Sequence, residues 1–152
     1  MTQAALLKFL APLPDEAILG LTLYGEARGE PIEGIIAVGC VIRNRVNDVK
    51  KRWPQTYRGV CLQKFQFSVW LEAGGAANHN EILALAQRLR DNEAIPELDE
   101  VAWVALGIAR NALKDNTKRS NHYHSVSMKP RPTWAQSYVP ATQVKGHVFY
   151  VL

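Results

Sequence analysis

A glycine–glutamate–proline break at residues 29–31 divides the most regular part of this chain into two helical segments. The first segment begins at residues 14–16, a proline followed by two acidic residues, which suit a helix N-terminus, and the break ends it. The second runs from the break to about Asn47, with apolar residues at helical spacing. Glu26 therefore falls on the last turn of the first helix, beside its apolar face. Glu30 falls in the break, and its side chain should be the more exposed to solvent of the two.

Two further helices are predicted in the middle of the chain. Apolar residues recur at helical spacing from Glu81 to about Asp91 and again from Pro96 to about Lys114. Residues 48–75, between the two pairs of helices, show no regular pattern. The glycine-rich stretch AGGAANHN is typical of a loop that ends in a helix cap.

The end of the sequence changes from helical to β-type patterning. NHYHSVS, residues 121–127, alternates in the manner of a strand, and the closing VKGHVFYVL is rich in β-branched and aromatic residues, as a terminal strand would be. A proline-rich loop separates them. We therefore expect one α+β domain over residues 1–152, mostly α-helical, with a helical body over about 1–115 and a small C-terminal β-sheet over about 120–152.

The composition excludes disordered and membrane-spanning proteins. Apolar residues make up 47% and charged residues 21% of the chain, which is typical of a globular protein. No stretch approaches the ~18 consecutive apolar residues of a membrane span, and the N-terminal segment lacks the basic start and unbroken apolar run of a signal peptide. We therefore expect a monomer that is synthesised in the cytoplasm and does not insert stably into a membrane.

The net charge of +4, with a pI near 9.2, favours a polyanionic partner such as nucleic acid, anionic lipid or an anionic cell-wall polymer. The basic residues are spread along the chain and form no tract interleaved with exposed aromatic residues, so we expect no nucleic-acid partner. A non-catalytic protein that binds polyanions is the alternative from a different class.

The cysteines and histidines give no metal-binding pattern. Cys40 and Cys61 lack the CxxC spacing, and the position of Cys40 in an apolar helical run predicts a buried free thiol, although a disulfide between the two stays open. In the HYH segment, His122 and His124 would share one face of a strand, but no third ligand is near in sequence. We expect no metal and no other cofactor.

Glu26 has two interpretations. Cleavage of a glycosidic bond needs a carboxylic acid that stays protonated near neutral pH and donates its proton to the leaving oxygen. Partial burial against apolar and aromatic neighbours, here Leu23 and Tyr24, disfavours the charged form and would supply such an acid. In an unrelated sequence, however, a glutamate near a helix end is more often simply solvated.

Four segments, in order, carry a family resemblance that favours the catalytic interpretation of Glu26 over the solvated one. They are YGEARGEPIEGIIAVGCVIRNRV, WPQTYRGVCLQKFQFSVW, HYHSVSMKPRPTWAQS and VKGHVFYV, with an alanine-rich helix in the expected place between the second and the third. Together they resemble the SleB-type cell-wall hydrolases, the spore cortex-lytic family and its phage relatives. The likeness extends from about residue 16 to residue 152. The E-A-R-G-E motif alone would be weak, whereas the ordered set is specific.

The resemblance implies a fold similar to lysozymes and lytic transglycosylases, with helices around a cleft and a small sheet on one side. It implies peptidoglycan glycan strands as substrate, cut between N-acetylmuramic acid and N-acetylglucosamine, with Glu26 as the catalytic acid/base. No second carboxylate is evident, which favours a lytic transglycosylase over a hydrolytic muramidase, because the latter needs a base, a nucleophile or an assisting substrate group. A phage endolysin is the expected setting, and a bacterial cell-wall remodelling enzyme is the alternative.

The same resemblance suggests a set of substrate-binding residues. The residues that we expect to bind substrate are Gln66, Ser68, Tyr123, His124, Trp134 and Glu30. The segment around Gln66 and Ser68 would form a cleft wall, or it would be an aromatic-rich part of the core. Tyr123 has a core role as its rival, and Trp134 would either stack on a sugar ring or cover the end of the core.

Overall fold

The computed structural model describes residues 1–72 and 75–152 and is built mainly of helices. A three-stranded antiparallel sheet lies at its C-terminal end, and short 3₁₀ helices lie at Ser68–Trp70, Pro96–Leu98 and Thr133–Ala135. The α-helices and strands are α1 Gln3–Leu10, α2 Asp15–Ala27, α3 Ile32–Val46, α4 Tyr57–Leu62, α5 Ala76–Arg90, α6 Asp99–Ala109, β1 His122–Ser125, β2 Thr142–Val144 and β3 His147–Tyr150. The expected class, α+β and mostly helical, is therefore confirmed.

The two helices on either side of the glycine–glutamate–proline break form as the sequence predicts. Pro14 precedes α2, and two acidic side chains lie in its first turn, where the helix dipole favours them. The chain leaves the helix at Arg28, and Gly29 adopts a φ of +86°, a left-handed conformation that glycine tolerates best. Pro31 then opens α3. Glu26 consequently lies on the last turn of α2.

Helix α2 runs through the main core and packs against α6, α4, α3 and α5. Its buried side chains include Ile18, Leu19, Leu21 and Leu23, none more than 1% exposed. This helix therefore anchors the turn that carries Glu26 to the main core.

The sheet has the strand order β1-β3-β2, with Tyr123 opposite Phe149 in the register of β1 and β3. Phe149 is fully buried and packs with Ala37 and Val41 of α3 in a cluster of its own, which joins the sheet to the helical body. The closing segment, expected to be one strand, turns between β2 and β3 at Lys145 and Gly146. Lys145 adopts a φ of 51° in this hairpin, and the predicted terminal strand therefore forms only over His147–Tyr150.

Helices α1 and α4 lie in segments where the sequence pattern predicts none. Each begins at a threonine whose hydroxyl accepts a backbone N–H: Thr2 from Ala5 and Thr56 from Gly59. Each is short, with 8 and 6 residues respectively, so neither carries enough turns for a clear apolar period.

The two later helices have different limits from those expected. Helix α5 begins at Ala76, inside the stretch predicted to be a loop, and Ala73 and Gly74 of that stretch lie outside the described residues. Helix α6 ends at Ala109, because Asn111 takes a left-handed φ of 55°. Over the described ranges, no helix combines the length and apolar character needed to cross a membrane.

Candidate active site

A groove of about 630 Å³ lies where the helical body meets the sheet. Its walls come from the end of α2, the last turn of α3, the segment 65–71, strand β1 with the loop that follows it, and the first residue of β3. The volume falls in the range of about 300–1,000 Å³ that is typical of small-ligand sites. Glu26 is the one carboxylate on its walls among the described residues.

The carboxylate of Glu26 is held between the helical body and the sheet. The Tyr123 hydroxyl donates a hydrogen bond to Oε2 at 3.3 Å. The other oxygen, Oε1, is buried and has no hydrogen-bond partner within the part of the chain that the structure describes. An unpartnered buried oxygen disfavours the ionised form of the group.

Burial raises the pKa of Glu26 above its ordinary value. The backbone N–H groups of Val69 and Ser68 and the Tyr123 hydroxyl oppose this shift, although neither N–H meets hydrogen-bond geometry. Burial is the largest of these effects, so the group keeps its proton to a higher pH than an exposed glutamate. A carboxylic acid of this kind can donate a proton near neutral pH.

The 3₁₀ turn at 68–70 contacts α2 at two positions in the turn before Glu26. The indole N–H of Trp70 donates to the Thr22 hydroxyl at 3.0 Å, one turn before Glu26. Next to Glu26, Val69 packs against Gly25 so closely that a Cβ added there would lie 2.7 Å from the Val69 Cβ. Glycine at position 25 thus allows the turn to approach the carboxylate.

The end of α2 is also tied to α5. Arg28 donates from Nη1 to Oε2 of Glu81 at 2.6 Å and from Nη2 to Oδ1 of Asn78 at 2.8 Å. The Tyr24 hydroxyl donates to Glu81 Oε1 at 3.0 Å. These contacts fix the last turn of α2, and with it the backbone of Glu26.

The Glu30 side chain is less exposed to solvent than expected, and it contacts the sheet. Its side chain is 19% exposed, and Oε1 lies 3.2 Å from Nδ1 of His147, although the direction does not satisfy hydrogen-bond geometry. It does not line the groove, whereas His147 does, edge-on to the Tyr123 ring at 5.1 Å between ring centroids. Burial lowers the pKa of His147, and the Glu30 carboxylate opposes that shift.

The other residues expected to bind substrate lie on the groove wall. Gln66 and Ser68 are exposed there, while Phe67 between them is 3% exposed and belongs to the core. The segment thus contributes Gln66 and Ser68 to the groove wall and Phe67 to the core, and its role in substrate binding stays a prediction. Trp134 also lines the groove, with its ring 5.1 Å from that of His122.

His124 lines the groove as a buried residue. Its two ring nitrogens contact the Ser125 carbonyl oxygen and the Tyr150 hydroxyl, each at 2.8 Å. The ring is thus already hydrogen-bonded within the sheet. Across residues 1–72 and 75–152 no group of three potential metal ligands occurs.

Sequence reasoning missed Arg45, which lines the groove from the last turn of α3 and is only 6% exposed. Its signal lay in the helical period: Ile35, Val38 and Ile42 form a buried stripe, and position 45 continues it. A charged residue at a core-facing helical position indicates a special environment, because arginine is almost never fully buried without a partner.

The fold is of the lysozyme-like type that the sequence predicts, and it is similar to two solved structures. The catalytic domain of the Bacillus cereus SleB protein has a TM-score of 0.64 and 22% identity, covering 89% of this chain and 88% of that one. The catalytic domain of the germination-specific lytic transglycosylase SleB from Bacillus anthracis has a TM-score of 0.65 and 21% identity, covering 89% and 92% respectively. At these identities the likeness concerns the fold.

The chain belongs to the cell wall hydrolase family, whose model matches residues 29–150. The spore cortex-lytic enzyme of Oceanobacillus iheyensis is 39% identical over 69 residues, which are 41% of this chain and 24% of that protein. The Bacillus subtilis spore cortex-lytic enzyme is 41% identical over 54 residues, 36% of this chain and 17% of that protein. The matches thus span a quarter or less of these relatives. The family match begins after Glu26, so it does not test the catalytic role expected for that residue.

Proposed function

We propose that the chain is a peptidoglycan-cleaving glycosidase of the lytic transglycosylase type, with Glu26 as its single acid/base. The observation that carries the proposal is the buried Glu26 carboxylate, with its raised pKa, in a groove that no other described carboxylate lines. Family membership and the lysozyme-like fold support peptidoglycan as the substrate class.

The chemistry needs two proton transfers at Glu26. Its carboxylic acid first donates a proton to the oxygen that links C1 of N-acetylmuramic acid to N-acetylglucosamine, and the C1–O bond breaks with its electron pair on that oxygen. The N-acetyl group of the substrate stabilises the positive charge that develops at C1. The C6 hydroxyl of the same muramic unit then attacks C1, and its proton passes to the Glu26 carboxylate. The product is a 1,6-anhydro sugar, formed without water.

The surroundings of Glu26 suit both protonation states. Burial favours the neutral acid that the first step uses, while the Tyr123 hydroxyl stabilises the carboxylate that the step leaves behind. A group that donates one proton to the leaving oxygen and then accepts another from the C6 hydroxyl needs neither form to be strongly preferred.

Digestion of isolated sacculi followed by mass spectrometry tests this proposal. We expect anhydro-muropeptides from the unaltered protein and a loss of roughly 100-fold or more in rate for Glu26→Gln. Glu16→Gln, the same change at an exposed position on α2, is the matched control and should keep its activity. Undiminished digestion by folded Glu26→Gln would overturn the site assignment, and reducing ends in place of anhydro ends would overturn the reaction type.

A hydrolytic muramidase is the second candidate, because His147 lines the groove with the Glu30 carboxylate 3.2 Å from its Nδ1. The lowered pKa of His147 keeps the imidazole neutral near pH 7, and a neutral imidazole can accept a proton from an attacking water. In that case His147→Gln would suppress products with reducing ends. A transglycosylase would give anhydro products with or without this substitution.

Host lysis by a phage endolysin is the setting that we propose. The net charge of +4 supports attraction to an anionic envelope, but related folds serve spore cortex-lytic enzymes, so the setting stays a prediction. We expect the protein to clear chloroform-permeabilised vegetative cells faster than decoated spores. Faster clearing of the spores would contradict it.

A further inference from the structure

Arg45 places a buried positive charge on the wall of the groove without a carboxylate partner. It lies in the last turn of α3 and is 6% exposed. No acidic side chain of the described residues forms an ion pair with it, and the two undescribed residues, Ala73 and Gly74, carry no carboxylate. Glu26 lines the same groove but makes no ion pair with Arg45.

The guanidinium is held in one orientation by its neighbours. Nε donates to the Asn121 carbonyl oxygen at 2.8 Å, and Nη1 donates to Gln66 Oε1 at 3.3 Å. The guanidinium carbon lies over two rings, 5.4 Å from the centroid of Trp53 and 5.8 Å from that of Phe67. Nη2 has no hydrogen bond to any described residue, so part of the planar donor set remains open for a ligand.

Burial makes this charge costly. It lowers the pKa of Arg45, although a guanidinium stays protonated in proteins. The positive charge also helps to lower the pKa of His122, after the larger effect of that ring's own burial. A carboxylate ligand would offset the cost, because guanidinium and carboxylate form strong, directional hydrogen bonds.

We propose that Arg45 is an anion subsite that binds a carboxylate carried by a muramic unit of the glycan strand. This inference rests on the proposed function and names the substrate feature that the groove selects. The carboxylate is either that of the lactyl group itself or that of the peptide attached to it. An N-acetylglucosamine unit has neither, so Arg45 distinguishes the two sugars.

Calorimetry with a protein that binds but does not cleave tests the subsite. In the Glu26→Gln background we would measure the Kd of three sets of oligosaccharides of equal length: peptide-free alternating muramic oligomers, the same oligomers with their peptides, and N-acetylglucosamine oligomers. We expect a muramic oligomer to bind roughly 10–100-fold more tightly than the N-acetylglucosamine oligomer. Preference for the peptide-free form identifies the lactyl carboxylate, and preference for the peptide-bearing form alone identifies the peptide.

Two substitutions and a control connect that preference to Arg45. Arg45→Gln removes the charge. Gln66→Glu leaves Arg45 and the core intact, since Gln66 is exposed. It places a carboxylate of the protein itself beside Nη1 of Arg45, and this carboxylate would compete with that of the ligand for the guanidinium. Both should reduce the preference to near unity. Arg110→Gln, which removes one exposed charge far along the sequence at the end of α6, should not change it.

The outcomes separate this inference from the proposed function. If all three oligomers bind with equal affinity, or if the preference survives in folded Gln66→Glu, the subsite is wrong and the glycosidase proposal stands. If none of the oligomers binds, both proposals fail.

Discussion

The hydroxyl of Tyr123 donates to Oε2 of Glu26 across 3.3 Å, joining two residues that are 97 positions apart in the chain. One comes from the first strand of the sheet and the other from the last turn of α2. The protonation of the acid therefore depends on how the sheet docks on the helices, because a hydrogen bond to the charged form lowers the pKa of a carboxyl group.

Removal of this hydrogen bond should move the pH profile of activity. Tyr123→Phe takes away a contact that favours the carboxylate, so the raised pKa of Glu26 rises further. Activity needs the protonated acid, and the alkaline limb of the pH profile of kcat/KM should shift to higher pH. Tyr57→Phe is the matched control, because that hydroxyl contacts the Ile108 carbonyl oxygen instead. A limb that stays in place, or moves to lower pH, would contradict the assignment.

Glu26→Gln should make the protein more stable at neutral pH. A carboxyl whose folded pKa is raised stabilises the fold at pH values below its unfolded pKa, and this contribution is lost as the pH rises through the folded pKa. Glutamine removes that loss, which amounts to about 1.4 kcal/mol for each unit of pKa elevation. The Tm difference between the variant and the unaltered protein should be positive at pH 7 and vanish on acidification.

Glu81→Gln is the comparison for this measurement, because the pKa of Glu81 is shifted in the opposite direction to that of Glu26. The hydrogen bond from Arg28 lowers the pKa of Glu81, so the ionised form is the stabilising one. This substitution should give no gain in Tm at pH 7. A gain for both variants would mean that the effect at Glu26 comes from overall charge and not from burial.

Two glycines on α2 should respond in opposite ways to alanine. At Gly25 the new Cβ would lie 2.7 Å from the Cβ of buried Val69, so the turn at 68–70 must move away from Glu26. We expect a loss of about 1–3 kcal/mol in unfolding free energy and up to ~100-fold in activity. Gly20 has nothing nearer than 3.9 Å, and Gly20→Ala should be neutral or stabilising by up to about 1 kcal/mol. Urea unfolding and sacculus digestion measure both, and equal effects would contradict the packing argument.

The two cysteines should be unreactive until the protein unfolds. Cys40 and Cys61 are free thiols with no exposed surface, which leaves the disulfide considered from the sequence unformed. Burial raises the pKa of Cys40 to about 11 and that of Cys61 to about 12. Because the thiolate is the reactive form, a thiol reagent at pH 8 should label neither cysteine in the native state and both in denaturant. Fast labelling of either one under native conditions would show that it is less buried than described.

The sequence predicts long elements with local signals better than short ones. Helices α2 and α3 have proline starts and regular apolar spacing, and both were predicted. Helices α1 and α4 are stabilised by a threonine cap and by their contacts with the core, which no local pattern reveals. The hairpin between β2 and β3 depends on a left-handed Lys145, an uncommon choice at such a position.

The site is predictable only in part for a related reason. The motifs mark Glu26 and several residues of the groove wall, such as Ser68 and Trp134, but they assign no role in the site to Arg45 or His147. The contact of Glu30 with His147 and the exposure of Arg45 to the groove both arise from the way that the sheet meets α2 and α3. The burial of Arg45 continues the apolar period of α3, but the groups that Arg45 and Glu30 meet lie far away in the sequence, so those contacts had to be seen in the fold.

Phe149 joins the sheet to the helices through a small cluster with buried Ala37 and Val41, against which Tyr123 and Val144 also pack. Because this contact is small, we expect the sheet to separate from the helices before the helices unfold during storage or heating. Preparations would then lose the proposed glycosidase activity while circular dichroism still reported an intact helix content. Shelf life is therefore better judged by turbidity clearing than by spectroscopy.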